Sequence, residues 1–219
     1  MVSATRMTVS LKTDLRFPDT GHYGHGSRII QVYMEFKKIE KKEAGKFITR
    51  YNITYETVDH KEKVYEMISR NPNLTTSEEL ADHPSDSVLL LMHDESGEKL
   101  LLNKEYRMAC GDFVINFPAG LIDPGENYEQ SARRELKEET GLDIIEINDV
   151  LDESFSAIGF SNEKNICVVG VAAGTFTPST STVEEIEAKW YTKKEVRELL
   201  QKEYFAARTQ AYCYIWSKE

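Results

Sequence analysis

Residues 120–142 read GLIDPGENYEQSARRELKEETGL. Asp123, Pro124 and Gly125 carry turn chemistry. Asn127 is a good helix N-cap, with Gln130 three positions on. Gly141 falls where helices end in a left-handed residue. The intervening YEQSARRELKEET predicts a helix that places Ala132 and Leu136, one turn apart, on a buried side. Glu135 and Glu139 then lie about 40° apart, with Glu138 about 60° to the other side of Glu135. Three carboxylates therefore share one arc of the helix.

That arrangement works against the isolated helix. Like charges at i,i+4 destabilise it by roughly 0.2–0.5 kcal/mol per pair, and acids near its C-terminus oppose the macrodipole. A hard divalent cation removes both objections, because clustered oxygen ligands are what Mg2+ or Mn2+ takes. A bare ExxEE could equally be a solvated acidic face. The full segment is more specific. It resembles the Nudix box, Gly-x5-Glu-x7-Arg-Glu-U-x-Glu-Glu-x-Gly-U with U a bulky apolar residue. Gly120, Glu126, Arg134, Glu135, Leu136, Glu138, Glu139, Gly141 and Leu142 meet every specified position.

Working outward, VLLLMHD (88–94), ESGE and KLLLNKEYR (99–107) predict a hairpin with a glycine turn. Its nearly continuous apolar runs suit strands buried on both faces. DFVINFPAG (112–120) is a further strand, ended by Pro118 and Gly120. Downstream, IIEINDVLDESFSA, NICVVGVAAGTF and EAKWYT are strand-like. Thr192 and Glu195 form a capping box opening the helix KKEVRELLQKE, and a last helix is expected at AARTQAYCYIWSKE. Upstream, KFITRYNITYETV, the turn VDHKEK and VYEMISR predict an antiparallel hairpin. NPNLTTSEELADHPSD (71–86) reads as a loop. The expected division is an extension over 1–32, an N-terminal β unit over 33–80 and the main domain over 81–219. The class is α+β with a mixed sheet.

The chain has 219 residues, with 27 Lys+Arg against 37 Asp+Glu, for a net charge of −10. That balance speaks against nucleic acid and anionic membranes as partners. No apolar run approaches the length of a membrane span, and the N-terminus shows no secretory h-region. Cys110, Cys167 and Cys213 are odd in number and follow no zinc spacing, as expected of a reduced, cytoplasmic protein. His22 and His25 make an incomplete metal site and read as part of a solvated tail.

The resemblance implies a Nudix α/β/α sandwich that hydrolyses a nucleoside diphosphate linked to another group. It implies Glu135, Glu139 and the Ala119 carbonyl as metal ligands, for Mg2+ with Mn2+ as second choice. Glu138 would be a further ligand or base, and Glu126 and Arg134 a structural ion pair beside Gly120. EYRMACGDFVINFPAGLIDPGE resembles the ADP-ribose and ADP-sugar pyrophosphatases, which makes Arg107 the expected phosphate-binding arginine. The hairpin resembles that subfamily's strand-exchanging N-terminal unit. This implies a homodimer, with Tyr65 near the adenine and Arg70 at a second phosphate contact. For the base, the late-loop acids Glu184 and Glu185 and the acid Glu163 are all candidates.

One stretch departs from the subfamily. Its Ser-Pro-Gly element corresponds to SFSAIGFSNE (154–163), which keeps Gly159 but has Ile158 at the proline position. The subfamily resemblance implies ADP-ribose to AMP and ribose 5-phosphate, and the departure at Ile158 counts against a strict ADP-ribose assignment. GDP-mannose, a dinucleoside polyphosphate or another Nudix substrate stays open, as does a non-catalytic nucleotide-sugar sensor.

Overall fold

The computed structural model describes residues 34–181 and 185–218, so His22, His25 and Glu184 lie outside the described residues. From Met34 onward the chain forms one compact unit. Strands β1 (Glu35–Ala44), β2 (Thr49–Glu56) and β3 (Glu62–Ser69) make a three-stranded antiparallel sheet in the order β1-β2-β3. The sequence predicts only the β2–β3 hairpin. EFKKIEKKEA is too charged to read as a strand, and it is held by pairing to β2, with Phe36 and Ile39 packed against the small core. Such a charged strand is a common way to blunt a sheet edge.

Tyr51, Ile53 and Met67 form a small core beneath this sheet, joined by Leu74 from the 71–86 segment. That segment is pinned by Tyr51, whose hydroxyl donates to the Asn71 carbonyl at 2.8 Å and accepts from the Leu74 amide at 3.2 Å. It contains a short 3-10 turn, Glu78–Leu80.

The second sheet is built from β4 (Ser87–His93), β5 (Lys99–Arg107), β6 (Asp112–Asn116), β7 (Ala119–Leu121), β8 (Asp143–Phe155), β9 (Lys164–Ala173), β10 (Ile186–Thr192) and β11 (Tyr204–Phe205). Its order is β11-β6-β5-β4-β9-β8, with β10 on β5 and β7 on β4. β4 runs parallel to β9, and β11 parallel to β6, so the sheet is mixed. The expected β4–β5 hairpin survives only beside its turn, at His93↔Leu100. Beyond that point β4 takes β9 and β5 takes β6 and β10.

Alternation along β4 shows why the helices lie on both faces. Val88, Leu90 and Met92 join Ala132 and Leu136 of α1 (Tyr128–Thr140) in one core. Leu89 and Leu91 face the other way, toward Val196 of α2 (Lys193–Lys202) and Cys213 and Trp216 of α3 (Ala207–Trp216). Period-two strands with both faces apolar require cover on each side. The architecture is therefore α+β, an α/β/α sandwich around a mixed sheet with a small antiparallel sheet before it. Each fully buried leucine contributes roughly 1.5–3 kcal/mol. Among the described residues, no helix is long and apolar enough to cross a membrane.

Candidate active site

The helix α1 is fixed at both ends by its own sequence. Asn127 and Gln130 form a reciprocal capping box, and Gly141, at φ +81°, ends the helix with its amide donating to the Lys137 carbonyl. Thr180 closes over the same end, its amide donating to the Glu138 carbonyl at 3.0 Å. This sets which side of α1 meets the sheet and which meets the cleft above β7.

A cleft of about 440 Å3 opens there, and it gathers acids and arginines from distant parts of the chain. Glu135 and Glu139 enter from α1, Ala119 and Gly120 from β7, and Arg107 from the end of β5. Arg70 enters just beyond β3, and Glu163 just before β9. The early sheet reaches the cleft through backbone pairing. The Ile68 amide donates to the Phe160 carbonyl at 2.8 Å, and Ile68 bridges to Ser161. Arg70 Nε then donates to Glu163 Oε2 at 2.6 Å.

Gly120 allows the close approach of strand and helix. A methyl group at its Cα would overlap the Glu135 carboxylate. Glu139 is nearly buried and is oriented by Asn103, whose side-chain amide donates to it at 2.8 Å. Arg134 braces the preceding loop. It donates from Nε and Nη2 to Glu126 at 2.9 and 2.8 Å, from Nη2 to the Leu121 carbonyl at 3.0 Å, and from Nη1 to Glu135 at 2.7 Å. Hydrogen bonding to Arg134 holds the Glu126 carboxyl below its usual range, and the same bond raises Arg134 above the usual guanidinium value.

Three of the expected residues stand apart from this cleft. Glu138 is half exposed and turns toward Arg134, at 3.3 Å, because it sits on the Arg134 side of Glu135 rather than the Glu139 side. Tyr65 does not line the cleft, and its hydroxyl donates to the Gly159 carbonyl. Glu185 does not line it either, and its carbonyl extends the β10–β5 ladder by accepting from the Tyr106 amide at 3.0 Å. Ile158 is largely exposed on the loop before β9.

Other cleft residues escape the sequence reading. Arg208, in the first turn of α3, lines this cleft and also a larger one of about 850 Å3. Its side chain makes no hydrogen bond or ion pair with the described residues. Desolvation by the surrounding walls draws its pKa below the usual guanidinium value, against the pull of Glu163, Cys167 and Glu105. Its side chain still reaches solvent, so it remains a cation at neutral pH. One signal was available, because an arginine in the first turn runs against the helix dipole. Asn103 interrupts an apolar strand, the usual mark of a buried polar group with a partner. Glu105, also buried, accepts from the Asn116 amide at 3.0 Å and lies 3.5 Å from Arg107. Thr209 continues that chain, its hydroxyl donating to Asn116 Oδ1 at 2.9 Å.

Among the described residues, no three His, Cys, Asp or Glu groups converge as a ready cation cage. The donor chemistry still fits a hard cation. Glu135 and Glu139 line the cleft together with Ala119, and Mg2+ commonly takes one or two carboxylates plus substrate phosphate and water.

The NUDIX domain profile matches residues 83–212. The chain is similar to an ADP-ribose pyrophosphatase of Saccharomyces cerevisiae, 31% identical over 66% of this chain and 61% of that protein. It is also similar to the ADP compounds hydrolase NudE of Escherichia coli, 37% identical over 32% of this chain and 38% of that one. Thus the chain spans about two fifths to three fifths of the curated relatives it matches. A solved structure of an ADP compounds hydrolase superposes with a TM-score of 0.56 at 20% identity, covering 77% of this chain and 84% of the other. That last likeness is one of fold.

Proposed function

The chain belongs to the Nudix family, and from that premise we propose that it hydrolyses the diphosphate bond of a nucleoside diphosphate sugar, with ADP-ribose, giving AMP and ribose 5-phosphate, as the leading substrate. The observation that carries this reading is the single cleft joining Glu135, Glu139 and Ala119 to Arg70, Arg107 and Glu163. Acids and arginines gathered in one cleft suit a charged diphosphate held beside a cation. The names of the yeast and bacterial relatives favour an ADP-containing substrate.

Glu135, Glu139 and the Ala119 carbonyl would hold the cation, for which we propose Mg2+, with Mn2+ as the second choice. When bound, it supplies charge neutralisation at the phosphates and a more acidic water. Arg107 and Arg70 bind the phosphate oxygens, each as a planar fork of donors. Arg70 is paired with Glu163 in the free protein, and turning toward a phosphate would release that carboxylate. Glu163 is therefore our choice to take the proton from the attacking water. Glu185 and Glu138 have weaker support because neither lines the cleft. Arg134 acts by holding Glu126 and Glu135 in place before substrate arrives.

Val64 of β3 is exposed, and from the likeness of this hairpin to a strand-exchanging unit we propose a homodimer. The three free cysteines favour a reducing compartment.

The test is turnover of ADP-ribose, ADP-glucose, GDP-mannose and a diadenosine polyphosphate with Mg2+, with AMP or GMP release followed chromatographically. Glu139→Gln is expected to abolish most turnover without loss of fold. Equal activity in wild type and variant sinks the assignment of Glu139. No turnover on any substrate favours a nucleotide-sugar sensor. A solution mass near twice 25.1 kDa supports the homodimer, and a strict monomer removes it.

A further inference from the structure

Asn103, Glu105 and Arg107 alternate along β5 and so point to one face of the sheet. The middle one joins two groups. One oxygen of the nearly buried Glu105 carboxylate accepts from the Asn116 side-chain amide at 3.0 Å, and the other lies 3.5 Å from Arg107 Nη1. Asn116 ends β6 and is itself nearly buried, and its Oδ1 accepts from the Thr209 hydroxyl at 2.9 Å. Thr209 is fully buried in the first turn of α3, where its oxygen also accepts from the Phe117 amide at 3.4 Å. A chain of polar contacts thus runs from α3 through β6 to the arginine at the end of β5.

The groups at the ends fix the direction of each bond. The Phe117 amide can only donate, so the one hydroxyl proton of Thr209 goes to Asn116. That turns Asn116 Oδ1 toward Thr209 and its Nδ2 toward the Glu105 carboxylate, which accepts. A flipped amide would leave buried polar atoms unpaired, so one arrangement is specified. The fold alone has little need of it, because replacing both partners of a buried bond by apolar groups of the same shape is nearly neutral. What the chain does specify is the place of the Glu105 carboxylate, and with it the half-exposed Arg107 guanidinium beside it.

We propose that Thr209 and Asn116 are positioning residues, which act through Glu105 to hold Arg107 ready for a phosphate of the substrate. The proposal rests on the reading of Arg107 as a phosphate ligand given above. A long side chain loses rotamer freedom when it binds, and anchoring it beforehand removes part of that cost. The anchor comes from α3, about a hundred residues from Arg107 in the chain, so the last helix contributes to substrate affinity without touching the phosphate through Thr209 or Asn116.

The experiment uses the full chain with Mg2+ and the variants Thr209→Val, Thr209→Ser and Asn116→Leu. Valine keeps the shape of threonine without the hydroxyl, and serine keeps the hydroxyl. Calorimetry gives the affinity for α,β-methylene ADP-ribose, whose bridging carbon resists hydrolysis. Steady-state kinetics on ADP-ribose and thermal melting are run on the same samples. Thr209→Val and Asn116→Leu should weaken the analogue and raise KM roughly tenfold, the scale of one hydrogen bond, with kcat changed less than about threefold. Thr209→Ser should restore the wild-type values. Wild-type affinity in Thr209→Val overturns the proposal, even if its Tm falls, because the chain then serves the fold alone. Thr209→Ser as weak as Thr209→Val also overturns it, since the hydroxyl is then not the cause. The two Thr209 variants decide the matter if Asn116→Leu does not fold. A wild-type protein that binds the analogue but hydrolyses nothing sinks the hydrolase reading, and the affinity series still decides the positioning. A wild-type protein that neither binds the analogue nor turns over ADP-ribose overturns both.

Discussion

Substituting Gly120 by alanine should separate stability from activity. The backbone there is not left-handed, so alanine meets no conformational penalty. The obstacle is the Glu135 carboxylate, whose three terminal atoms occupy the space of the new methyl group. That carboxylate is the mobile end of a side chain, so it can turn away while β7 and α1 stay in place. Turning away breaks its 2.7 Å bond with Arg134. A hydrogen bond to a charged group contributes about 1.5–3 kcal/mol, and replacing glycine by alanine returns about 0.4–1 kcal/mol through the unfolded chain. The net loss is about 1–2 kcal/mol, or a fall in Tm of roughly 2–8 °C for a unit of this size. Activity should suffer far more, because displacing a reacting group by about 1 Å costs on the order of a hundredfold. Thermal melting and kcat/KM for ADP-ribose, measured on the same sample, give both numbers. A Gly120→Ala protein within about threefold of wild-type kcat/KM refutes the placement of Glu135 at the reaction centre. A Tm loss far above the stated range refutes the claim that the side chain, rather than the backbone, yields.

Two other outcomes follow from the same cleft. Arg134 depresses the Glu126 carboxyl in the folded protein, so this pair adds stability at neutral pH. That contribution is lost as pH falls through the ordinary carboxylate range toward the lower folded value. Glu126→Gln should therefore flatten the acid side of a Tm-against-pH curve, and a curve that stays parallel to wild type contradicts the linkage. Asn103→Leu removes the amide that donates to nearly buried Glu139, which should cost about 1–3 kcal/mol in urea unfolding and lower kcat more than it raises KM. Wild-type kcat in that variant means that Asn103 does not position Glu139.

Legibility in the sequence followed the range of the interactions. The helix over 128–140 was readable to its ends, because Asn127, Gln130 and Gly141 act on their own neighbours. The same local logic gave Thr192 with Glu195, and the side of α1 that carries Ala132 and Leu136. Glu135 and Glu139 both line the cleft, while Glu138 turns to its neighbour Arg134. The strand β1 was missed because it is held by pairing rather than by an apolar pattern.

By itself the sequence determined the box, the helix that presents its carboxylates, and the α+β class that follows from strands apolar on both faces. These depend on spacing within a few turns or strand residues, where covalent geometry fixes which side chains are neighbours. Tertiary structure alone decided which distant residues share the cleft. The bridge from Ile68 to Ser161 carries Arg70 to Glu163, and the parallel pairing of β11 with β6 sets the start of α3 beside Arg107. Those pairings join segments far apart in the chain through backbone hydrogen bonds, which every residue type can make. Their register therefore leaves little trace in the identity of Arg70, Glu163 or Arg208.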